Sequence, residues 1–134
     1  MDFKGKWVFV LLLLFFAACA QPQPEPQQRT SLLEGVKCDS TSTLTYENFG
    51  KAFFLDWCSG CHSSTLKSGE RAGAPTSFDF DALKDVKAHA KAIFRRSGGA
   101  DATMPPSVQL PDEQKKLLKE WLACGAPSEK KKGE

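Results

Sequence analysis

The stretch that decides the fold is residues 45–62, TYENFGKAFFLDWCSGCH. Thr45 is placed to cap a helix running to about Trp57, and Glu47 falls in its first turn, where the helix dipole favours a negative charge. Phe49, Phe53 and Trp57 recur every four residues and form one aromatic stripe along that helix. Such a helix carries Cys58, Cys61 and His62 at its exit, beside its apolar face. Two thiols three residues apart with an imidazole next to the second form a set of soft donors at one point of the chain.

Outward from this point, residues 61–80 are rich in Gly, Ser, Pro and Thr and read as irregular loop. Asp79 or Asp81 is placed to cap a second helix with Leu83, Val86, Ala90, Ile93 and Phe94 on one face. Ser97-Gly98-Gly99 ends it. Pro105-Pro106 forbids helix and forces an extended segment. A third helix starts near Pro111, with Asp112 and Glu113 in its first turn, Leu117, Leu118, Trp121 and Leu122 on its apolar face, and Gly125 as its stop. No strand pattern competes. The expectation is an all-α domain of about three helices joined by long loops. Loops of that length are out of place in an empty fold and expected around a cofactor.

The chain has 134 residues, enough for one small domain, and a formal net charge of +2 with no clustered basic surface of the kind nucleic acid requires. Five cysteines and two histidines stand out, as does Met104, the only methionine besides Met1. A domain this small needs a staple such as disulfides, a metal or a large prosthetic group.

Lys4 and Lys6 precede a twelve-residue apolar run, Trp7 to Ala18. That is the length of a signal-peptide core and short for a membrane span. Phe16-Ala17-Ala18-Cys19 resembles the lipobox of bacterial lipoproteins, with Phe16 where the pattern prefers an aliphatic residue. The resemblance implies cleavage after residue 18 and acylation of Cys19. An ordinary secretory signal or an uncleaved short anchor would equally place the domain outside the cytoplasm. Residues 21–28 alternate proline with glutamine and glutamate, cannot join a core, and read as an extended tether. The Lys130-Lys131-Lys132 tail reads as a solvated end.

Cys58-Ser59-Gly60-Cys61-His62 is the haem attachment pattern. Two cysteines on about one helical turn reach the two vinyl groups on one edge of a porphyrin, and the adjacent histidine presents its ring to the iron. Small residues at Ser59 and Gly60 let the backbone lie close to that edge. A zinc site would need a second pair of ligands at similar spacing, and Cys38 and Cys124 are too isolated to supply it. A thioredoxin-like pair would sit at the end of a strand. Met104, in Thr103-Met104-Pro105-Pro106, is the candidate for the opposite axial position, since histidine–methionine ligation is a common choice of electron carriers. The prolines stiffen its loop. His89 is the competing ligand, and its other reading is a half-buried structural histidine.

These residues together resemble the class I cytochrome c family in its small bacterial monohaem form, over most of residues 44–126. The resemblance implies that fold, and assigns Gly50, Phe54 and Cys58 to its opening pattern, with Gly50 allowing Trp121 of the last helix to cross closely. It implies that the Pro75 carbonyl holds the His62 ring N–H, and makes Arg71 and Trp57 candidates for the haem propionates. Cys38 and Cys124 are not part of the general family pattern, but because the terminal helices cross in that fold a bridge between them is expected, permitted in an oxidising compartment, with two free thiols as the alternative.

The expected organisation is a signal peptide at 1–18, an acylated cysteine and tether at 19–37, a cytochrome c domain at 38–127 and a basic tail at 128–134. The expected function is one-electron transfer by one covalent haem c between redox partner proteins. The protein would sit on the periplasmic side of the envelope and be anchored to a membrane by lipid. It would convert no substrate and bind no nucleic acid. Two other readings stay open: a haem enzyme or ligand sensor whose sixth position opens, and a haem-free module stapled by disulfides. On the cytochrome reading, the protein atoms alone leave a hollow beside His62 and Met104.

Overall fold

The computed structural model describes residues 31–129. The expected signal peptide, Cys19, most of the expected tether and the Lys130–Lys132 tail lie outside the described residues. Within them the chain is helical and contains no strand. A π-helical turn, Tyr46–Gly50, runs into α1 (Lys51–Trp57). A 3-10 turn at Ser68–Glu70 interrupts the long loop, and α2 (Leu83–Ala88), α3 (Ala90–Ile93), a second π-helical turn (Phe94–Gly98) and α4 (Asp112–Ala123) follow. Among the described residues no helix is long and apolar enough to cross a membrane.

Thr45 caps the first helical segment as its sequence predicts. Its side chain accepts from the Asn48 N–H at 3.1 Å, and the Asn48 side chain accepts from the Thr45 N–H at 2.7 Å, a reciprocal pair that satisfies two free donors. The helix is not uniform, however. The Gly50 N–H reaches back five residues to the Thr45 carbonyl, so the first turn is wide. Phe49, Phe53 and Phe54 from this segment are buried.

The segment packs on α4 through Gly50 and Trp121. A Cβ built on Gly50 would stand 2.7 Å from Cζ2 and 2.8 Å from Cη2 of Trp121, closer than real side chains approach, so only glycine fits. Trp121 is fully buried, with Phe49 at 5.9 Å and Phe54 at 6.2 Å between ring centroids. Gly125, with φ of +79°, ends the helix in the left-handed region where glycine is favoured. The chain then turns back, and the Pro127 carbonyl accepts from both the Tyr46 N–H and the Trp121 indole N–H.

Three expectations change. The second helix is capped by neither Asp79 nor Asp81: it begins after Ala82, because the Asp79 carboxylate is taken by Arg71 and that of Asp81 by the Ser64 N–H. That helix also breaks at His89, where φ is −106° and ψ is 11°, before resuming as α3. Finally, the packed unit begins ahead of residue 38. Leu33 is buried in the core, the Leu32 N–H donates to the Leu122 carbonyl at 3.2 Å, and Cys38 is joined to Cys124. The bridge spans 86 residues, and on a chain-entropy basis a loop of that size contributes about 4.6 kcal/mol.

Candidate functional site

After α1 the chain closes a tight turn. The Cys61 and His62 N–H groups both donate to the Cys58 carbonyl, at 3.1 and 2.9 Å. This brings Cys58, Cys61 and His62 to one wall of a cavity of about 490 Å³, well within the ~300–1,000 Å³ usual for ligand and cofactor sites. Gly60 borders it as well, and a Cβ there would meet nothing within 4 Å. Cys58 and Cys61 are free thiols and not a bridge. Burial pushes the Cys58 thiol up to about 12, so it stays protonated at neutral pH.

His62 is held at both its ring and its backbone. Nδ1 lies 2.7 Å from the Phe78 carbonyl, and a carbonyl only accepts, so Nδ1 carries a proton and, in the neutral ring, the lone pair is on Nε2. The ring stacks on Phe80 at 4.9 Å, and the Phe80 N–H donates to the His62 carbonyl at 2.8 Å. The expected partner, Pro75, is displaced from this role. Its carbonyl accepts from Arg71 Nη2 at 2.9 Å and from the Phe78 N–H at 3.0 Å. Pro75 opens the turn whose far end delivers the Phe78 carbonyl to the imidazole.

Arg71 also departs from its expected role. It borders the cavity but is only 2% exposed, and its guanidinium donates to the Ser63, Ala74 and Pro75 carbonyls and to the Asp79 carboxylate. Its charge is therefore already answered within its own loop. Trp57 is half-buried and borders the cavity. Two arginines that the sequence did not single out, Arg95 and Arg96, border it too, from the π-helical turn after α3. Their signal was faint: two basic residues directly after the apolar face of a helix also read as a solvated C-terminal turn.

Met104 faces the same cavity, with Pro105 and Pro106. Its loop is held by the Arg96 carbonyl, which accepts from both the Thr103 and the Met104 N–H at 2.8 Å. That carbonyl lies in the wide turn that ends the helix, where carbonyls lack partners within the helix. The Met104 residue is 38% exposed. His89, the alternative ligand, does not border the cavity: its ring rests on Phe78 at 4.4 Å and near Phe80 at 6.2 Å.

The remaining wall is mostly apolar, with Phe78, Phe80, Ile93 and Leu110 each buried or half-buried. Among the described residues no three His, Cys, Asp or Glu side chains cluster to hold a bare metal ion. The site thus offers two thiols, one imidazole nitrogen and one thioether around a single apolar hollow. Compared with family models, curated proteins and solved structures, the chain matches none of them.

Proposed function

We propose that the chain is a monohaem c-type cytochrome, a one-electron carrier with a class I cytochrome c-like fold. One observation carries the reading: Cys58, Cys61, His62 and Met104 border one cavity of about 490 Å³ while the Phe78 carbonyl occupies His62 Nδ1 and leaves Nε2 free. The donor set fits a haem. Cys58 and Cys61 would attach the group covalently through their sulfurs, and His62 through Nε2 and Met104 through its thioether would ligate its iron. The close seat of Trp121 against Gly50 supports the same fold.

When bound, haem c supplies a single-electron couple between ferric and ferrous iron. The chain does the rest. Phe78, Phe80, Ile93 and Leu110 exclude water and lower the local polarity, and His62 is kept in one tautomer by Phe78. Arg95 and Arg96 are placed to meet carboxylates at the cavity's border. The protein passes electrons between redox partner proteins and converts no substrate. By its leader it acts outside the cytoplasm, tethered to an envelope membrane through lipid on Cys19.

A second reading rests on the light fastening of the Met104 loop. A methionine whose loop is tied down through Arg96 can leave its position, which favours a ligand sensor or enzyme with an openable sixth position. One experiment separates the readings. Visible spectra of the protein matured in a host competent for c-type cytochromes are expected to show sharp reduced α and β bands. The colour is expected to stay with the polypeptide in acid–acetone, with a weak far-red methionine-to-iron band in the ferric form. Covalent colour without the far-red band, together with uptake of CO, selects the openable site. A colourless protein overturns the cytochrome reading and leaves a disulfide-stapled module.

A further inference from the structure

Arg71 carries more of this site than a loop arginine would. Its fork grips the chain at several points: Nη1 donates to the Ser63 carbonyl at 2.6 Å, Nε to the Ala74 carbonyl at 3.1 Å, and Nη2 to the Pro75 carbonyl at 2.9 Å and to Asp79. Ser63 adjoins His62. Pro75 and Asp79 lie on either side of Phe78, whose carbonyl accepts from His62 Nδ1. The Phe78 N–H closes on the same Pro75 carbonyl that Arg71 holds, at 3.0 Å. Burying a guanidinium costs several kcal/mol of hydration unless its charge and donors are matched, as they are here. That cost is met at one place, around the single carbonyl that fixes the imidazole. Lysine has no planar fork and could not hold these acceptors together.

We infer that Arg71 is a positioning residue for His62, holding the Phe78 carbonyl where it sets the imidazole's tautomer and basicity. The inference rests on the proposed function in taking His62 as the iron ligand. A firm acceptor at Nδ1 makes the ring a better donor and favours the ferric state. Loosening that acceptor therefore raises the midpoint potential.

The test compares wild-type holoprotein with Arg71→Gln and, should that variant fail to assemble, with Arg71→Lys. Midpoint potential and exchange of the His62 Nδ1 proton, followed by NMR in the diamagnetic reduced form, are the two readouts. The potential is expected to rise, with a tenfold shift of the one-electron equilibrium corresponding to about 59 mV. The ring proton is expected to exchange about tenfold faster. Asp79→Asn, which keeps the shape but weakens the grip, should move both in the same direction and by less. A coloured variant with wild-type potential and wild-type ring-proton exchange overturns the positioning role and leaves the haem reading standing. A colourless wild type overturns both.

Discussion

The two walls of the cavity are built to different standards. On the His62 side, a 2%-exposed arginine binds its loop at four acceptors, one carbonyl fixes the imidazole, and Phe80 stacks on the ring while its N–H holds the backbone. On the Met104 side, two N–H groups share the Arg96 carbonyl and the Arg96 side chain reaches Thr103 at 3.3 Å, while Met104 and Val108 stand 38% and 53% exposed. The first wall has redundant fastenings around a buried guanidinium, and the second has a few fastenings on an exposed loop. On the proposed function, the firmly held His62 would set the electronic character of the site, and the lightly held Met104 would be the adjustable contact.

The largest effect expected from breaking this contrast comes from Asp79→Ala. It leaves the Arg71 charge buried without its carboxylate. Removing one partner of a buried pair costs about 3–5 kcal/mol, and the partial exposure of Asp79 places it at the lower end, about 3 kcal/mol. Urea unfolding followed by far-UV circular dichroism reads this directly. A loss under about 1 kcal/mol would put the pair in the class of surface ion pairs and remove the distinction between the walls.

Amide exchange sharpens the comparison without a mutation. The Phe80 N–H, bonded to the His62 carbonyl, is expected to open only with much of the fold. The Thr103 and Met104 N–H groups need only their loop to lift from Arg96. Phe80 should therefore exchange about a hundredfold more slowly than either. Equal protection would mean that the two walls open as one unit.

The parts of this design that were legible in the sequence are those written as side chains at fixed spacing. Cys58, Cys61 and His62 meet because the turn after a helix brings them together, and Thr45 caps because its hydroxyl stands directly ahead of the helical run. Gly50 and Trp121 carried a resemblance that fits the contact observed. What escaped was written in the backbone. A carbonyl has no sequence signature: Pro75 is the expected acceptor for His62, whereas the turn that Pro75 opens presents Phe78 instead. Nothing local in the sequence shows that Ser63, Ala74, Pro75 and Asp79 converge on Arg71, so by sequence alone its guanidinium looks free to meet a bound group. The apolar periodicity through 83–94 runs over His89 unbroken, yet the helix breaks there and the ring packs on Phe78. Leu33 follows a proline-rich stretch and by sequence reads as part of it, although its buried side chain and the Leu32 hydrogen bond to Leu122 draw that segment into the core.

The smallest effect expected is one of pH, and it falls on the His62 wall. The Asp81 carboxylate accepts from the Ser64 N–H at 2.6 Å, tying the loop's beginning to its end. That backbone bond lowers the Asp81 carboxyl below its ordinary value of 3.8, against a weaker opposing effect of burial and with help from the Ser63 and Ser64 side chains. A carboxyl lowered by folding stabilises the fold above its unfolded pKa, and the contribution fades as pH falls through the folded value. For a group this exposed it amounts to less than about 1 kcal/mol. Wild type should therefore exceed Asp81→Asn in urea midpoint at neutral pH, and the gap should close on titration to about pH 3 and below, under the ordinary carboxylate range. Because Asp39, the other carboxyl lowered by a local hydrogen bond, is common to both proteins, the difference between them isolates Asp81. A gap that persists unchanged in acid would mean that the Asp81 side chain holds the loop by its shape, and that the His62 wall owes nothing to this charge.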